Sequence, residues 1–523
     1  MLRPMEPSGA VAVRSAELVA ALSLATDLGT GQPMEHALRT CVLATRLGEL
    51  AGIGRAERQV AFEVALLHSL GCTADAHEAA GLYGDDIGVR AAFATVDAAR
   101  PGQVLGFLGR NAGAGSPPLR RARLLAGAVL EGPARPRRAF AAHCEVAARL
   151  AARLGLGAEV QHALGFVFER WDGKGFPSGV AGAAVPPPVR LVHLARDADV
   201  FHATGGLDAV EHLLGERSGT AFDPELAALL GRHAAELFGA LAEGSAWDAA
   251  LAAEPEPGRV LTGTALDDAC AAVADFTDLK SPWTLGHSGG VAELAEAAAW
   301  RLRLPEPEVA AVRRAALLHD LGRVGVSNRV WDKPGPLSDT EWEQVRLHPY
   351  YTERALARSA PLAALGRLAA AHHEHLDGSG YHRGVPAVLL ETAARLVAAA
   401  DAYQAMTEPR PHRPALAAEA AADRLAERVR DGRVDASAAD AVLGAAGQRT
   451  GRTRRAWPGG LSDREVEVLR LLARGLSNRQ IAARLALSPK TVGHHVQHVY
   501  AKLGVSTRAA ATLAAVEQDL LRA

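Results

Sequence analysis

The second half of the chain carries histidines and aspartates that together could hold metal ions. Five imidazoles and two carboxylates exceed the ligands of a single tetrahedral zinc, but they suit two ions about 3.5–4 Å apart that share a bridging carboxylate. Mixed nitrogen and oxygen ligation favours iron or manganese over a thiolate-preferring metal. Two such divalent transition metals activate water and hold phosphoryl oxygens, which is the chemistry of phosphodiester hydrolysis. The predicted ligands are His287, His319, Asp320, His348, His372, His373 and Asp401.

The segments that must position these ligands are predicted to be helices. Residues Pro305–Leu321 are apolar at helical spacing and deliver the His-Asp pair at their end. Ser338–Glu341 forms a capping box that opens a helix running to His348, and Ala393–Met406 is an amphipathic helix that carries Asp401. A lone histidine is more often a core or surface residue than a ligand. Seven candidate ligands on helices that can converge favour a metal site instead.

The first half of the chain repeats this pattern. In each copy a lone histidine stands 32 residues before the histidine of a Leu-Leu-His motif, and another stands 26 residues before a glutamate that opens a glycine-rich segment. The spacing between these two pairs differs, which places an insertion within residues 70–142 of the first copy. Such a long period predicts a duplicated domain and not a solenoid. The matched positions are His36 and His287, His68 and His319, His143 and His348, and Glu169 and Glu374.

The first copy has lost ligands. Ser69 stands where the second copy has the aspartate of its His-Asp pair, and Val167-Phe168 replaces the His-His pair. Asp199 could fill the last ligand position, although Asp197 competes for it. Valine and phenylalanine cannot bind a metal, so we expect no dinuclear catalysis here and structural roles for the surviving histidines. A pseudo-symmetric partner or a ligand-sensing domain is the expected role.

Composition limits the class of protein. The 523 residues carry a net charge of −2, with 57 basic and 59 acidic side chains, which excludes a polyelectrolyte and a uniformly basic nucleic-acid coat. The cysteines are scattered without a CxxC pair, which favours reduced thiols in a cytoplasmic protein. No run of 18 apolar residues occurs, so no membrane span is predicted. The cysteines are Cys41, Cys72, Cys144 and Cys270.

The charge is concentrated at one end. Between residues 454 and 523 basic side chains outnumber acidic ones eleven to five, whereas the remaining chain is acidic. A basic tail on an acidic body indicates that the tail meets a polyanion. Glu254–Gly258 and Gly447–Gly460 have the composition of linkers and divide the chain into three parts.

Residues 281–445, with the ligand pattern above and Lys333-Pro-Gly-Pro-Leu337, resemble an HD-GYP domain, a branch of the HD superfamily that hydrolyses cyclic di-GMP and related cyclic dinucleotides. The resemblance implies an all-α fold and a dinuclear centre built from the seven ligands. It assigns Asp320 as the bridging catalytic carboxylate. It further implies that Arg323 acts in catalysis and binds substrate, and that Lys333, Gly380 and Tyr381 bind substrate.

The chain departs from the HD-GYP pattern at three positions. The usual Gly-Tyr-Pro is Gly380-Tyr381-His382, so the loop beside the substrate lacks its proline. Arg323 replaces a lysine that normally faces the substrate phosphate, and arginine is a larger planar donor. Trp283 stands where part of the family has a glutamate that binds a third metal, which favours two metals here.

The tail has the pattern of a helix-turn-helix. Ser462–Glu465 is a capping box followed by apolar residues at helical spacing, and Ser477–Gln480 opens a second short helix. Ser488-Pro489 caps a third helix that ends before Gly504, and Ser506 begins a fourth. A short helix, a tight turn and a helix with a basic outer face form the DNA-reading motif.

This tail closely resembles the LuxR/FixJ-type helix-turn-helix over about 60 residues. By that resemblance its third helix enters the major groove, where a glutamine can pair with adenine. Such domains generally act as dimers on two half-sites, and a homodimer is therefore expected. The alternative is a four-helix module that docks a protein. The predicted phosphate contacts are Lys490, Thr491 and Lys502, and the predicted base-facing residues are Gly493, His494 and Gln497.

The sequence thus predicts an all-α, cytoplasmic transcriptional regulator that binds double-stranded DNA. It is expected to carry a metal centre that hydrolyses a phosphodiester such as a cyclic dinucleotide. Two alternatives stay open: an inactive HD domain that senses a ligand and gates DNA binding, or an HD nucleotide phosphohydrolase. The predicted parts are a degenerate HD-like domain (12–250), a linker and leading helix (251–280), the HD-GYP-like domain (281–445), a linker (446–460) and the helix-turn-helix domain (461–523).

Overall fold

The computed structural model describes residues 11–114, 117–131, 134–447, 457–518 and 520–521. The regular secondary structure of these residues is almost entirely helical, which confirms the all-α prediction. A short antiparallel pairing joins β1 (Val13–Arg14) to β2 (Val260–Leu261), with Val13 opposite Leu261, and it was not predicted. It ties the start of the first copy to the segment that leads into the second. Part of the predicted linker 446–460 lies outside the described residues.

The first copy contains one strand and a series of helices. They are β1 (Val13–Arg14), α1 (Ser15–Thr30), α2 (His36–Leu50), α3 (Arg55–Leu67), α4 (Ala76–Tyr83), α5 (Asp86–Phe93), α6 (Pro101–Asn111), α7 (Pro118–Glu131), α8 (Ala134–Arg153), α9 (Ala158–Leu164), α10 (Pro187–Arg217), α11 (Pro224–Ala242) and α12 (Ala246–Ala252).

The second copy follows the same order without the long insertion. Its elements are β2 (Val260–Leu261), α13 (Gly263–Asp278), α14 (His287–Arg301), α15 (Glu306–Leu318), α16 (Asn328–Trp331), α17 (Asp339–Arg346), α18 (His348–Leu356), α19 (Ala360–Ala370), α20 (Thr392–Thr407), α21 (Ala418–Arg430) and α22 (Ala436–Gly447).

The tail forms four helices around a small core of its own. The predicted capping boxes at Ser462 and Ser477 are present, and Ser488 accepts from the backbone of Thr491. The fourth helix is capped by Thr507 instead of Ser506, because the Ser506 backbone and hydroxyl both bond to a glutamate of the first copy. The helices are α23 (Asp463–Ala473), α24 (Asn478–Leu485), α25 (Pro489–Leu503) and α26 (Arg508–Glu517).

The two copies share one large hydrophobic core. Helix α1 lies in its middle and packs against helices of both copies. Nearly all of its side chains are buried, including Leu18, Leu22 and Leu24, so the helix is buried around its whole circumference and not along one stripe. The two copies therefore form one packed body, on which the tail rests.

The helix predicted to run to His348 ends earlier. Its capping box at Ser338 is present, but α17 stops at Arg346 and a new helix, α18, begins at His348. Pro349 explains the break, because proline lacks the N–H that a continuing helix needs and favours the first turn of a new one. No helix in the described part of the chain is long and apolar enough to cross a membrane.

Candidate metal centre

The predicted ligands lie at helix ends or in the middle of one long helix. His287 begins α14, directly after Gly286, whose φ of 77° is in the left-handed region that glycine adopts without strain. His319 and Asp320 occupy the break between α15 and the 3₁₀ turn Leu321–Gly325. The other ligands begin α18, follow α19 and lie on α20; they are His348, the His372-His373 pair and Asp401.

The carboxylate of Asp320 stands between two sets of imidazoles. Its Oδ2 lies 3.4 Å from Nε2 of His319 and 3.8 Å from Nε2 of His287. Its Oδ1 lies 3.5 Å from Nε2 of His348 and 3.6 Å from Nε2 of His372. One oxygen therefore faces each set of imidazoles.

The carboxylate of Asp401 also faces imidazoles of both sets. Its Oδ1 lies 3.2 Å from Nε2 of His287, and its Oδ2 lies 3.8 Å from Nδ1 of His373. Donor atoms close enough to hold an ion occur in three overlapping groups. One of them, His319, Asp320 and His372, shares a histidine with each of the other two, which are His287, His319 and Asp401 on one side and His348, His372 and His373 on the other. We call these last two groups the first and the second ligand set. The structure thus brings all seven predicted ligands together.

Hydrogen bonds at Nδ1 of three imidazole rings direct Nε2 of each ring into the site. Nδ1 of His319, His348 and His372 lies 2.6–2.7 Å from a backbone carbonyl three residues earlier, so Nδ1 carries the proton and Nε2 presents a lone pair. Nε2 of His348 and Nε2 of His372 then face each other at 3.1 Å. Nε2 of His319 is buried and has no hydrogen-bond partner in the described residues.

Lone pairs that converge in a buried space are poorly accommodated unless a cation lies between them, so the residues present fit divalent metal ions. The carboxylates agree with this. Burial acts to raise the pKa of Asp320, but His319 and Arg323 outweigh it and hold that pKa well below its usual range. Burial lowers the pKa of His348 to about 3 and that of His372 to about 4, which keeps these imidazoles neutral for ligation.

The pKa of His287 shifts in the opposite direction to the pKa values of His348 and His372. Burial acts to lower its pKa, but Glu408 and Asp401 outweigh burial and raise the pKa to about 10. The carboxylates here therefore favour positive charge at this point of the site, which a bound cation supplies. Glu408 was not among the predicted site residues. It stands two residues before Arg410, and no spacing rule connects it with a histidine 121 positions earlier.

Arg323 lies beside the candidate ligands. Its Nη1 donates to Oδ2 of Asp320 at 3.0 Å, and its guanidinium stacks on Trp331 at 3.9 Å from the ring centre. Trp331 was also missed by sequence reasoning; its indole N–H donates to the backbone of Arg323. The stack and the ion pair hold the guanidinium at the edge of the site, with 17% of the side chain exposed.

Two of the three remaining predicted substrate residues lie against the ligands. The Tyr381 ring is 4.7 Å from the His373 ring, and its backbone N–H donates to the carbonyl of His373. Gly380 packs so closely that a Cβ there would come within 2.5 Å of that same carbonyl oxygen. Lys333 does not reach the ligands in this structure, because its Nζ pairs with Glu341 at 2.5 Å.

The first copy keeps the scaffold but not the donor set. Position 196 and position 401 are both the tenth residue of their helices, α10 and α20, so Arg196 takes the place of Asp401. Asp199 lies one turn further on and bonds Nδ1 of His36 at 2.8 Å, away from the ligand-facing nitrogen. Neither Asp197 nor Asp199 therefore stands at the last ligand position.

Aromatic rings fill the remaining space in the first copy. Phe168, which replaces the second histidine of the pair, lies 4.5 Å from Phe140, and Phe140 stacks on Phe176 at 5.2 Å. The ring of His143 lies in the same cluster and pairs with Asp75 at 3.1 Å. Packed rings thus surround His143, and no group of residues that could hold a metal ion occurs among the described residues of this copy.

In the tail, the outer face of α25 is open. Lys490, His494 and Gln497 are exposed, and Gly493 is half-buried on the same helix. The Thr491 hydroxyl lies 2.7 Å from that of Ser488 and is part of the cap. Lys502 is exposed, but its ammonium pairs with Glu465 at 2.7 Å and also donates to the carbonyl of Gly460.

Two parts of the chain match families of known proteins. The family model "HD domain" matches residues 271–438, and "Bacterial regulatory proteins, luxR family" matches residues 460–515. The 3'3'-cGAMP-specific phosphodiesterase 3 of Vibrio cholerae is 32% identical over 412 residues, which cover 76% of this chain and 88% of that protein. A cyclic di-GMP phosphodiesterase of Pseudomonas aeruginosa is 38% identical over 146 residues, covering 28% of this chain and 35% of that protein.

A solved structure supports the fold over most of the chain. The crystal structure of a cyclic GMP-AMP specific phosphodiesterase from V. cholerae aligns with a TM-score of 0.58 and 26% identity, covering 83% of this chain and 98% of that chain.

Fold and site together define an HD-type helical protein with a C-terminal helix-turn-helix domain. The chain belongs to the HD-domain family that includes the V. cholerae 3'3'-cGAMP-specific phosphodiesterase 3, and its tail is a luxR-type domain. Both resemblances drawn from the sequence are confirmed.

Proposed function

We propose that the protein is a DNA-binding transcriptional regulator whose second copy is a dinuclear metal-dependent phosphodiesterase acting on a cyclic dinucleotide. The observation that carries the catalytic part is the position of Asp320, whose two oxygens each face a different pair of imidazole nitrogens. Two divalent ions, if held by these residues, would supply Lewis acidity and an activated water for attack on phosphorus. Mixed imidazole and carboxylate ligation supports iron or manganese.

The chain's own residues would orient the substrate. Arg323 is fixed between Asp320 and Trp331, so its exposed N–H groups are directed along the edge of the site, where a phosphate oxygen would lie. Tyr381 forms one wall against His373, and Gly380 lets this loop approach the ligand backbone. Lys333 would contribute only after it leaves Glu341.

The substrate class rests on the relatives. The V. cholerae protein that matches 76% of this chain is named for 3'3'-cGAMP, and shorter matches are named for cyclic di-GMP. We therefore place 3'3'-cGAMP first and cyclic di-GMP second among the candidate substrates.

The direct test is to purify the full chain with Mn²⁺ or Fe²⁺ and to measure bound metal together with hydrolysis of both dinucleotides. We expect two ions per chain and turnover. The double variant His319→Ala, Asp320→Ala should bind fewer ions and lose hydrolysis, whereas Glu343→Gln, which changes an exposed surface ion pair, should behave as wild type. A wild-type protein without metal would overturn the dinuclear proposal.

A second candidate is a sensor that binds the dinucleotide without cleaving it. The observation that favours it is the ion pair between Arg323 and Asp320. Arg323 stands where the family has a lysine, and it holds the carboxylate that would bridge the metals. Two bound metals, dinucleotide binding and no turnover would establish the sensor. Two metals with turnover of a nucleoside monophosphate alone would point instead to a nucleotide phosphohydrolase.

The regulatory part of the proposal rests on α25, whose predicted base-facing side chains His494 and Gln497 are exposed. We propose that the tail binds double-stranded DNA as part of a homodimer on paired half-sites. The division into domains at 12–250, 281–445 and 461–523 and a cytoplasmic location belong to the same proposal. Selection of bound sequences from a random DNA pool would test DNA binding, and a paired, symmetric site would support the dimer.

A further inference from the structure

One histidine of the first ligand set, His287, bonds a carboxylate at the ring nitrogen that faces away from the site. In His319, His348 and His372 the far ring nitrogen bonds a backbone carbonyl three residues earlier. His287 is different, because its Nδ1 bonds the carboxylate of Glu408 at 2.8 Å. A carboxylate polarises an imidazole more strongly than a neutral carbonyl does, since the ring then donates to an ionised acceptor.

The Glu408 carboxylate is itself held in place. Its Oε1 accepts from Nε2 of Gln404 at 2.7 Å, and its Oε2 accepts from Nη2 of Arg410 at 3.1 Å. Arg410 is in turn fixed by a bond of 2.9 Å from Nη1 to the carbonyl of Trp283. The carboxylate is thus bonded at both oxygens, and its orientation toward His287 does not depend on one contact.

A glycine on α14 makes room for this arrangement. A Cβ at Gly290 would come within 2.5 Å of Nε2 and 2.7 Å of Cδ of Gln404. The Gln404 side chain therefore lies against the backbone of α14 at Gly290, which stands one turn after His287. From this position its amide donates to Glu408. Alanine at this position would displace the amide that orients Glu408.

We propose that Glu408 is a positioning residue that strengthens the metal affinity of the first ligand set alone. By accepting the Nδ1 proton of His287, it fixes the ring and makes Nε2 a stronger donor toward the ion shared with His319 and Asp401. The second ligand set has no contact with Glu408 among the described residues and is unaffected. The inference rests on the proposed dinuclear site.

The test is a calorimetric titration of the metal-free full-length protein with Mn²⁺, which measures the affinity of each ion in turn. Wild type should bind two ions. Glu408→Gln should bind one ion with wild-type affinity and the other about 10–100-fold more weakly, the range seen when such outer partners of metal ligands are removed. Glu343→Gln, a change at an exposed glutamate of α17, is the matched control and should bind both ions normally.

Gly290→Ala provides a second route to the same position, because it acts through Gln404 and leaves every ionisable group in place. We expect it to weaken the same single ion by a smaller factor. Circular dichroism of the metal-free variants should match wild type, so that loss of affinity does not reflect unfolding.

The outcomes separate the inference from the proposed function. Two wild-type affinities in Glu408→Gln and Gly290→Ala would overturn the role of Glu408 and leave the dinuclear site standing. Equal weakening of both ions would also overturn it, because the effect would not be confined to the first ligand set. A wild-type protein that binds no Mn²⁺ would overturn both.

Discussion

His77 of the first copy and Asp332 of the second are joined by a bond of 2.8 Å between Nδ1 and Oδ2. Asp332 lies directly after α16, in the loop that follows the His-Asp pair, and it also accepts from Ser281 and Asn328. His77 further lies against Gly475 of the tail. One imidazole of the first copy therefore touches both the second copy and the helix-turn-helix domain.

This contact makes stability depend on pH. The hydrogen bond to Asp332 raises the pKa of His77 above its ordinary 6.5, so the folded protein holds this proton more tightly than the unfolded chain. The contribution is fully present below pH 6.5 and is lost as the pH rises through the folded-state pKa. His77→Gln should therefore lower the melting temperature more at pH 6 than at pH 9.

Thermal unfolding at both pH values checks this. His212→Gln is the matched control, because His212 is an exposed histidine beside Glu216 on a single helix. An equal loss at pH 6 and pH 9 for His77→Gln would mean that the charged imidazole contributes nothing to the contact.

Sequence patterns were sufficient to select the seven candidate ligands that the structure brings together and the helices of the tail, because each of these motifs is marked by local spacing. Histidines at helix ends and capping boxes such as that at Ser462 are visible within a few residues. The support of His287 by Glu408 was not visible, since it depends on how α20 folds back across α14. The same holds for Arg196, whose equivalence to Asp401 follows from where each helix begins.

Arg323 should be more sensitive to replacement than a surface arginine. Arg323→Ala removes a charged donor to the substrate phosphate, a loss of about 1.5–3 kcal/mol, which corresponds to roughly a 10–100-fold fall in kcat/KM. Arg323→Lys keeps the charge but loses the planar stack on Trp331, so its defect should be smaller.

Steady-state kinetics with 3'3'-cGAMP measures both variants of Arg323. Arg424→Ala, which breaks an exposed ion pair on α21, controls for removal of a guanidinium elsewhere. Unchanged kcat/KM in Arg323→Ala would remove this residue from the substrate site.

Restoring one lost ligand should not revive the first copy. Ser69→Asp rebuilds the His-Asp pair in sequence, but Arg196 still places a cation at the last ligand position and Phe168 still packs on Phe140. We expect this variant to bind the same number of metal ions as wild type. Metal analysis of the dialysed protein decides the point, and an additional bound ion would show that the site is less filled than the packing indicates.

The two kinds of exposed residue on α25 should respond differently in DNA binding. Gln497→Ala should cost about 1–3 kcal/mol of discrimination at one base pair, because a glutamine reads a base edge. Lys490→Ala should weaken binding to all sequences alike and reduce the salt dependence, as loss of a phosphate contact does. Titrations on the selected site and on a single-base variant, at two salt concentrations, distinguish these effects. Uniform weakening by Gln497→Ala would assign Gln497 to the backbone.

The tail is attached to the body through its last helix. Leu513 of α26 is fully buried and belongs to the core of the two copies, whereas Ala510 and Ala514 on the same helix belong to the core of the tail. An ion pair of 2.8 Å between Arg149 of α8 and Glu517 of α26 closes the contact. The recognition helix remains exposed in this docked position.

Leu513→Ala should therefore loosen docking without unfolding the tail. Truncation of a buried leucine costs about 2–5 kcal/mol, and here the cavity opens between the domains. We expect calorimetry to show the tail melting as a separate transition in Leu513→Ala. Leu469→Ala, at a fully buried position within the core of the tail, should instead lower the stability of the tail itself. If Leu513→Ala melts in a single transition at the wild-type temperature, the contact does not hold the tail, and a signal from the metal-binding copy would have to reach the DNA by another route.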